Sequence, residues 1–457
     1  MSGLAAGIRL ALADKNVLIL ERHEAPGGLN SFYSLRKRRY DVGLHAMTNF
    51  VRPGVKNTPL GKIFRQLRVK RDDFDLSEQL GSRIAFPGVD LKFSNDFELL
   101  ESEVAARFPD QINGFRALKE FVVNFDATNL DAGEESAEPV IARFISNPLL
   151  RQMLYCPIFY YGSSRENDID LGQYVIMFRS LFLEGFARPF AGVRQVIRTL
   201  TKKYAELGGQ RRMRLGVKEI SASEDQAEAL ILDNGETITA DHVVSTIGHV
   251  ETEKLCSDKT VSDTDQRLGK LSFTETITVF AKQPKELGWD DTIVFFNDSE
   301  KFDYSCPQQE MVDLRSGVVC FPNNYNYGDE RQLKEGWLRV TALANYDHWK
   351  ALGDEAYRAA KESWYGKLQS AIDPFLSVPK SAKFTESVLD TDMFTPLTVE
   401  RFTGHFGGAI YGSTEKIKDG RTHLENVYLC GTDQGFLGIV GAMLSGISIV
   451  NRYLVSR

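Results

Sequence analysis

The chain lacks an excess of basic charge. Its 55 Lys and Arg are outnumbered by 62 Asp and Glu, and the formal net charge is -7. A protein that binds nucleic acid phosphates needs a basic surface, so this balance argues against a nucleic-acid partner. Cysteine is also scarce: the 457 residues contain 5, without a C-x-x-C pair. Their odd number and wide spacing predict free thiols in a reducing compartment and no metal site.

Long apolar runs are scarce as well. Arg9, Asp14 and Lys15 interrupt the first twenty residues, which excludes a secretory signal there. The longest uncharged stretch, residues 434–450, is short for a bilayer span and rich in glycine, so it is predicted to be a buried helix. We therefore expect a cytoplasmic protein of more than one domain, for which a peripheral contact with the inner face of a membrane stays open.

The first 21 residues have the pattern of a helix followed by a buried parallel strand. Apolar residues recur at helical spacing from Leu4 to Leu12, and the apolar run 17–20 ends in Glu21. This is the second part of a βαβ dinucleotide-binding unit. Gly3 fits the third glycine of G-x-G-x-x-G, and Glu21 fits the acid that binds the adenosine ribose. The first strand and the first two glycines, which approach the pyrophosphate, are missing.

A Gly-Gly turn follows the acid at the strand end. Residues 21–31 are E-R-H-E-A-P-G-G-L-N-S, and a glycine pair lets the backbone lie directly against a ligand. The segment resembles the E-x(5)-G-G-x-x-x-S/T motif of the FAD-dependent amine oxidase and phytoene desaturase superfamily. This resemblance implies that FAD is the cofactor and that it contacts Gly3, Leu4, Glu21, Arg22, Gly27, Gly28, Leu29 and Asn30.

The middle of the chain is predicted to return to the nucleotide-binding domain. A helix from Gly192 to about Leu207 ends at a glycine pair, and short strands with a hairpin turn at 233–236 follow it. This order resembles the superfamily's passage from a helix through a small β-meander back to the parallel sheet. By that resemblance the backbone of Val217 holds the adenine; the alternative is an ordinary core valine.

An apolar strand near the C terminus leads into Gly431 and Asp433, and a glycine-rich helix is predicted to start near Val440. A helix N terminus points unpaired N–H groups and a positive dipole end at whatever lies before it. The passage resembles the C-terminal FAD motif of the same superfamily. The resemblance assigns FAD contacts to Gly431, Asp433, Gly438, Ile439 and Val440, with the Asp433 carboxylate accepting hydrogen bonds from the ribityl chain.

Two further segments indicate a branch of the superfamily. Residues 394–404 and 407–412 resemble the P-x-T-x-x-R-Y-T, then G-x-x-Y-G passage of bacterial phytoene desaturases, carotenoid isomerases and retinol saturases, with Phe402 in place of Tyr. Residues 41–45 resemble the D-x-G segment of that branch, which lines the flavin. His45 would then face the ring and is the candidate catalytic residue; the alternative is a structural histidine.

The resemblance implies an α/β fold: a Rossmann-like FAD-binding domain, made of a parallel sheet with a small β-meander, and a discontinuous α+β substrate domain. The FAD-binding domain is predicted at 1–65, 191–264 and 396–457, without its first strand. The substrate domain is predicted at 66–190 and 265–395. Its aromatic side chains would line a tunnel for an apolar substrate or form an ordinary core: Phe159, Tyr160, Tyr161, Phe178, Phe182, Phe186 and Phe190.

Two surface segments are candidates for contact with lipid. The amphipathic stretch 176–190 is predicted to rest on a membrane or to be buried, and the basic cluster 36–39 is predicted to be solvated or to bind phosphate.

The implied activity is hydride transfer between FAD and a C–C or C=C bond of a carotenoid-like or polyisoprenoid-like small molecule. The enzyme would act as a desaturase, saturase or isomerase. Amine oxidation with the same cofactor is the enzymatic alternative. The missing strand motivates two others, a non-catalytic remnant that has lost FAD and a sequence truncated at its start. The oligomeric state is not predicted.

Overall fold

The structure is a computed structural model and describes residues 1–50, 52–127, 133–262 and 265–455. Its α-helices are α1 Ser2–Ala11, α2 Pro59–Leu67, α3 Phe97–Arg107, α4 Ile112–Asn124, α5 Ala137–Phe144, α6 Pro148–Gly162, α7 Leu171–Phe178, α8 Val193–Glu206, α9 His249–Leu255, α10 Tyr346–Lys350, α11 Asp354–Ala371, α12 Ala382–Ser387, α13 Pro396–Thr403 and α14 Gly438–Val450. Its strands are β1 Leu18–Glu21, β2 Phe32–Leu35, β3 Arg38–Asp41, β4 Leu76–Glu78, β5 Ser82–Phe86, β6 Val89–Phe93, β7 Ala187–Pro189, β8 Gln210–Met213, β9 Val217–Ser223, β10 Gln226–Leu232, β11 Thr237–Ile238, β12 Val243–Ser245, β13 Ser272–Phe280, β14 Ile293–Asn297, β15 Ser316–Cys320, β16 Gly336–Ala344, β17 Val388–Phe394 and β18 Val427–Leu429.

Four short strands form the parallel part of the nucleotide-binding fold. β1 pairs with β8, and β12 pairs with β18, both in parallel. The two pairs share no ladder within the described ranges. β1 and β12 are only partly buried, whereas the central strands of a parallel sheet are usually covered on both faces. Of the predicted βαβ unit, the structure contains the helix, which is α1, and the second strand, which is β1. The three-stranded meander β11-β10-β9 follows β8 as expected.

Helix α14 lies at the centre of the helical layer on this domain. An added Cβ at Gly446 would clash with the backbone of Ser2, so α1 and α14 touch main chain to main chain. Leu4 and Ile8 of α1 join Val440 in one buried apolar cluster. The stretch Gly438–Val455 is apolar and long enough to cross a membrane, but 56% of it is buried against these neighbours. It packs as the predicted buried helix.

A seven-stranded sheet forms the second half of the molecule, in the order β17-β13-β16-β15-β14-β5-β6. Its neighbours pair antiparallel except β14 and β5, which are parallel. Alternate residues of β14 face two different cores: Phe295 packs in the cluster with α4–α7, and Phe296 packs in the cluster with Trp349 and Trp364. Helices therefore cover the sheet on both faces.

Most of the aromatic side chains predicted to line a tunnel are packed core. Phe159, Tyr160, Phe178, Phe182 and Phe186 are at most 4% exposed. They contact other rings edge-on or tilted, as Phe178 does with Phe182 at 5.1 Å between centroids. Most apolar side chains of 176–190 are buried, which favours the alternative prediction that this stretch packs on the protein core. An amphipathic period does not distinguish a lipid-facing helix from one that packs on a protein core.

The basic cluster 36–39 forms the end of the β2–β3 hairpin and binds carboxylates of the large sheet. Arg36 lies 2.7 Å from Asp390, and Arg38 lies 2.7 Å from Glu335. These ion pairs join the hairpin to β17 and to the residue before β16. The cluster thus contributes to packing between the two halves of the molecule.

Candidate functional site

Three exposed glycines with positive φ mark the segments predicted to hold the cofactor. The φ angles are 58° at Gly28, 63° at Gly43 and 69° at Gly438. A Cβ added to Gly28 or Gly438 would meet no other atom within 4 Å. Gly43 lies against the 28–30 turn, since its added Cβ would be 2.5 Å from the Leu29 carbonyl oxygen. The main chain at Gly28 and Gly438 faces open space, where a planar ligand can lie directly on the backbone.

The turn that contains Gly28 closes tightly on itself. Gly27 has φ 121°, and a Cβ there would be 2.6 Å from the carbonyl oxygen of Asn30. The Asn30 N–H donates to the Gly27 carbonyl at 3.0 Å, and the Ser31 hydroxyl donates to the Pro26 carbonyl at 2.9 Å. Only glycine fits position 27, and its role is to shape the turn.

Two helices begin at this site without a side-chain cap. Helix α14 starts at Gly438, two residues before the predicted start at Val440, and its N-cap residue Leu437 is apolar. Helix α1 starts at Ser2, so Gly3 and Leu4 belong to its first turn. The free N–H groups and positive dipole end of such a turn attract an anion, whether a diphosphate or a negatively charged ring.

Gly431 follows the end of β18 and lies against the first turn of α1. It has φ 99°, and an added Cβ would lie 3.0 Å from the Ser2 hydroxyl oxygen. Its N–H donates to the Ser445 hydroxyl at 2.5 Å. The structure thus brings together the N-terminal and C-terminal segments that were assigned separately to the cofactor.

Asp433 is 3% exposed and already has three donors. Its carboxylate accepts the His249 N–H at 2.6 Å, the Ser413 N–H at 2.8 Å and the Lys416 ammonium at 3.2 Å. Burial would raise the pKa of Asp433, but Lys416 and the two amides hold it below its ordinary value. These contacts tie α9 to the loop 413–416. A ribityl contact by this carboxylate stays a prediction, and it would compete with these donors.

The residues predicted from β1 and from the meander to hold the adenosine lie close together. The Glu21 carboxylate accepts the His23 N–H at 2.9 Å. Arg22 donates to the Val217 carbonyl at 3.3 Å, and its Nε lies 3.6 Å from Asp233. Arg22 and Val217 are therefore in contact, although 195 residues separate them. The Val217 carbonyl that is expected to hold adenine has the exposed Arg22 as its partner here.

Helix α13, from the branch-specific passage, packs on the same segment. Phe402 is 49% exposed and meets His23 edge-on, with ring centroids 5.2 Å apart. The passage thus lies beside the strand-end acid and the Gly-Gly turn.

His45 belongs to a buried polar cluster that sequence reasoning missed. Its Nε2 is 3.0 Å from the Thr341 hydroxyl and 3.7 Å from the Glu275 carboxylate. Glu275 pairs with Arg339, which donates to the carbonyls of Leu44 at 2.8 Å and of Asp41 at 3.0 Å. The cluster therefore joins the D-x-G segment to β13 and β16.

Charge balance in this cluster is almost complete. Burial would raise the pKa of Glu275, but Arg339 and His45 hold it below its ordinary value. The Asp41 carboxylate pairs with Arg188 and lies 3.5 Å from Arg194. The His45 side chain is only 12% exposed. It is placed to serve as a structural hydrogen-bonding group or to exchange a proton with Glu275.

A cavity of about 400 Å³ opens beside the turn that precedes α14. Its apolar lining is Phe125, Leu171, Ile176 and Phe436, and its charged lining is Asp126, Glu134, Glu135, Asp170, Arg165, Lys416 and Lys418. Two acids are neutralised, since Glu134 pairs with Arg165 and Asp170 lies 3.4 Å from Lys418. This lining is mixed and does not match the apolar tunnel that the aromatic residues suggested.

The chain matches the family described as flavin containing amine oxidoreductases over residues 1–453. It belongs to this family. The match confirms FAD as the cofactor and an oxidoreductase of the amine oxidase superfamily as the class of protein. It also confirms the resemblance found in the sequence motifs.

Curated relatives of this flavoprotein are distant. The chloroplastic prolycopene isomerase of Daucus carota is 22% identical over 276 residues, which are 54% of this chain and 44% of the relative. The 4,4'-diaponeurosporene oxygenase of Staphylococcus aureus is 23% identical over 338 residues, which are 70% of this chain and 64% of the relative. The matches thus span less than two thirds of either relative.

Solved structures show the same fold. An oxidoreductase from Methanosarcina mazei matches with a TM-score of 0.64 and 16% identity, over 99% of this chain and 98% of that one. A triple mutant of putrescine oxidase matches with a TM-score of 0.59 and 14% identity, over 100% and 97%. These likenesses confirm the predicted α/β FAD-binding fold.

The residues of this flavoprotein fit FAD best at the flavin end. The open backbone at Gly28 and Gly438 is a cradle that any side chain would fill, and α14 directs its uncapped N terminus from there. At the predicted diphosphate end, the N terminus of α1 has no side-chain cap and would face the anion, and Glu21, at the end of β1, stays the predicted ribose ligand. Among the residues that the structure describes, the pairs β1–β8 and β12–β18 are not hydrogen-bonded to each other.

One group of potential metal ligands is brought together only by the fold. The sequence shows no metal-ligand spacing, but Cys256, Asp258 and His423 place potential ligand atoms within 4.8 Å of one another. His423 already lies 3.1 Å from Asp258, and the Cys256 thiol donates to the Thr252 carbonyl. Asp258 and His423 are 165 positions apart in the sequence, so no spacing rule identifies this group. The five cysteines are free thiols.

Proposed function

We propose that this FAD-dependent oxidoreductase transfers hydride between its flavin and a C–C or C=C bond of a long apolar substrate. The substrate class is carotenoid-like or polyisoprenoid-like, and the outcome is desaturation, saturation or isomerisation. The supporting observation is the passage 394–412, whose helix α13 packs on the Gly28–Asn30 turn and on His23. Relatives named prolycopene isomerase and 4,4'-diaponeurosporene oxygenase agree with this substrate class.

The protein's part in this chemistry is to position and shield the ring. FAD, when bound, supplies the hydride acceptor or donor. The open backbone at Gly28 and Gly438 would admit a flat ligand, Gly43 packs against the Gly28–Asn30 turn, and the N terminus of α14 would stabilise negative charge on the ligand. The Glu275–Arg339 pair fixes the D-x-G segment against the large sheet, and the packed aromatic core excludes water from this side.

Amine oxidation is the second candidate, and the cavity beside the turn before α14 favours it. Four carboxylates line this cavity against three cationic side chains. One of the three cations, Lys416, is already paired with Asp433, which lies outside this lining. A substrate ammonium would find a favourable potential there.

Anaerobic reduction of the flavin separates the two candidates. The FAD-loaded protein is mixed with phytoene and other acyclic polyenes dispersed in vesicles, and separately with a panel of primary amines and polyamines. The proposal predicts bleaching of the visible flavin absorbance, or an altered polyene on chromatography, with the polyenes and not with the amines. Bleaching by amines alone would overturn it in favour of the second candidate.

A further inference from the structure

Positive charge is concentrated in one segment of this acidic chain. Residues 52–71 contain seven basic residues and no Asp or Glu, in a protein with a net charge of -7. The seven are Arg52, Lys56, Lys62, Arg65, Arg68, Lys70 and Arg71. A local excess of this size creates a positive potential over its surface that the rest of the chain does not cancel.

Helix α2 turns this charge toward solvent. Thr58 accepts the Gly61 N–H at 3.2 Å and starts the helix. Leu60, Ile63 and Leu67 are at most 1% exposed and form the inner face, which packs on α14 and α1. Lys62 and Arg65 lie on the outer face of the helix, and Arg68 and Lys70 follow its end. All four side chains are exposed. The apolar face is thus used for folding, and the basic face is available.

These cations have few partners within the protein. In the described ranges, no salt bridge within 4.0 Å joins Lys56, Lys62, Arg65, Arg68 or Lys70 to an acid; Arg52 lies 3.8 Å from Glu78, and Arg71 lies over the Phe50 ring. Asp72 and Asp73 follow the segment, and Asp73 accepts the backbone N–H of Lys70 at 3.0 Å. Acids therefore lie near the two ends of the segment, at Glu78 and at Asp72 and Asp73, and not among the five bases from Lys56 to Lys70.

An apolar loop tip lies between two of the bases. Val55 is 53% exposed and follows Pro53 and Gly54, with Arg52 before this tip and Lys56 after it. An exposed valine flanked by cations suits the boundary between lipid headgroups and acyl chains, where both kinds of group are accommodated. Nucleic acid would use the cations but offers nothing to the valine.

We propose that residues 52–70 form a docking face for an anionic membrane surface. The exposed bases contact lipid phosphates, and the Val55 tip enters the headgroup layer. The exposed Val55 favours a lipid surface over nucleic acid as the partner, because only a lipid surface offers an apolar layer next to its phosphates. The docking face replaces the stretch 176–190 as the membrane contact of this protein. It does not depend on which substrate the flavin site oxidises.

Vesicle co-sedimentation tests the face on the full chain. The protein is mixed with vesicles of phosphatidylcholine and phosphatidylglycerol, and separately with vesicles of phosphatidylcholine alone. Binding is expected only to the anionic vesicles. It is expected to weaken as ionic strength rises from about 0.05 M to about 0.5 M, because salt screens exposed charges. The triple variant K62E/R65E/R68E should lower partitioning by about 100-fold or more, from roughly fivefold per lost base.

A matched triple variant controls for net charge. K285E/K301E/K383E makes the same charge change at exposed lysines of the large-sheet half and should bind as the parent does. Unchanged circular dichroism shows that both variants fold. Absence of binding to anionic vesicles, equal loss in the two variants, or binding to RNA in preference to vesicles would each overturn the proposal.

Discussion

The Glu275–Arg339 pair is the contact whose loss should matter most to both halves of the molecule. Its side chains are 8% and 3% exposed, and Arg339 also donates to the carbonyls of Asp41 and Leu44. Glu275→Leu leaves the Arg339 charge buried without its carboxylate. Breaking a buried pair in this way costs about 3–5 kcal/mol, a large part of the roughly 5–15 kcal/mol by which a domain is stable.

A double-mutant cycle shows whether this cost arises from the orphaned charge. In E275L/R339M the second substitution removes the charge that the first one strands. The double variant should therefore be less destabilised than the sum of the singles by about 3 kcal/mol. A residual cost of about 1–3 kcal/mol is expected from each carbonyl, at Asp41 and Leu44, that loses its donor. Urea unfolding followed by tryptophan fluorescence measures the four free energies.

The pH dependence of the same cycle gives an independent check. Because the pKa of Glu275 is lowered in the folded protein, its stabilisation is complete above the unfolded value of about 4.3. It is lost as the pH falls through the folded value. The cost of Glu275→Leu should shrink in acid. Strictly additive single costs, or a cost that does not change with pH, would refute the assigned role.

Three further results are expected. Burial raises the pKa of Glu184 to about 7, so the stability of the protein falls as the pH rises from about 4.5 to about 7. Glu184→Gln should therefore raise the free energy of unfolding, measured in urea, by roughly 1–3 kcal/mol at pH ~8 and by little at pH ~4.5. Gly438→Ala fills the open space at this position and strains the backbone, whose φ is 69°. FAD titration should therefore show about tenfold weaker binding. The control Gly353→Ala, at an exposed helix cap, should bind FAD normally. His45→Gln should slow substrate-driven flavin reduction by about 100-fold with unchanged FAD content if the imidazole transfers a proton; loss of FAD as well would make it a structural residue.

Local sequence patterns were sufficient for the cofactor-binding elements. The helix predicted from Gly192 to Leu207 is α8, Val193–Glu206, because apolar spacing and a terminal glycine pair define a helix without tertiary information. The strand before Gly431 and the helix after it are β18 and α14, and the helix start was misplaced by two residues. Here Gly438 itself begins the helix.

Long-range contacts could not be predicted in the same way. The partners of His45 lie on β13 and β16, and 296 residues separate it from Thr341, so no spacing rule brings them together. The aromatic residues of α6 and α7 have the composition of either a tunnel or a core, and only packing decides between these. The backbone donors to Asp433 come from the start of α9 and from the loop 413–416, which the sequence leaves unrelated.

The flavin content of the purified chain tests the central claim most directly. Denaturation releases any bound cofactor, chromatography identifies it, and circular dichroism shows that the protein was folded. The account predicts stoichiometric FAD, directly or after reconstitution, and less of it in Gly438→Ala than in Gly353→Ala. A folded chain that neither releases flavin nor takes up FAD would contradict the account and favour a remnant that has lost its cofactor.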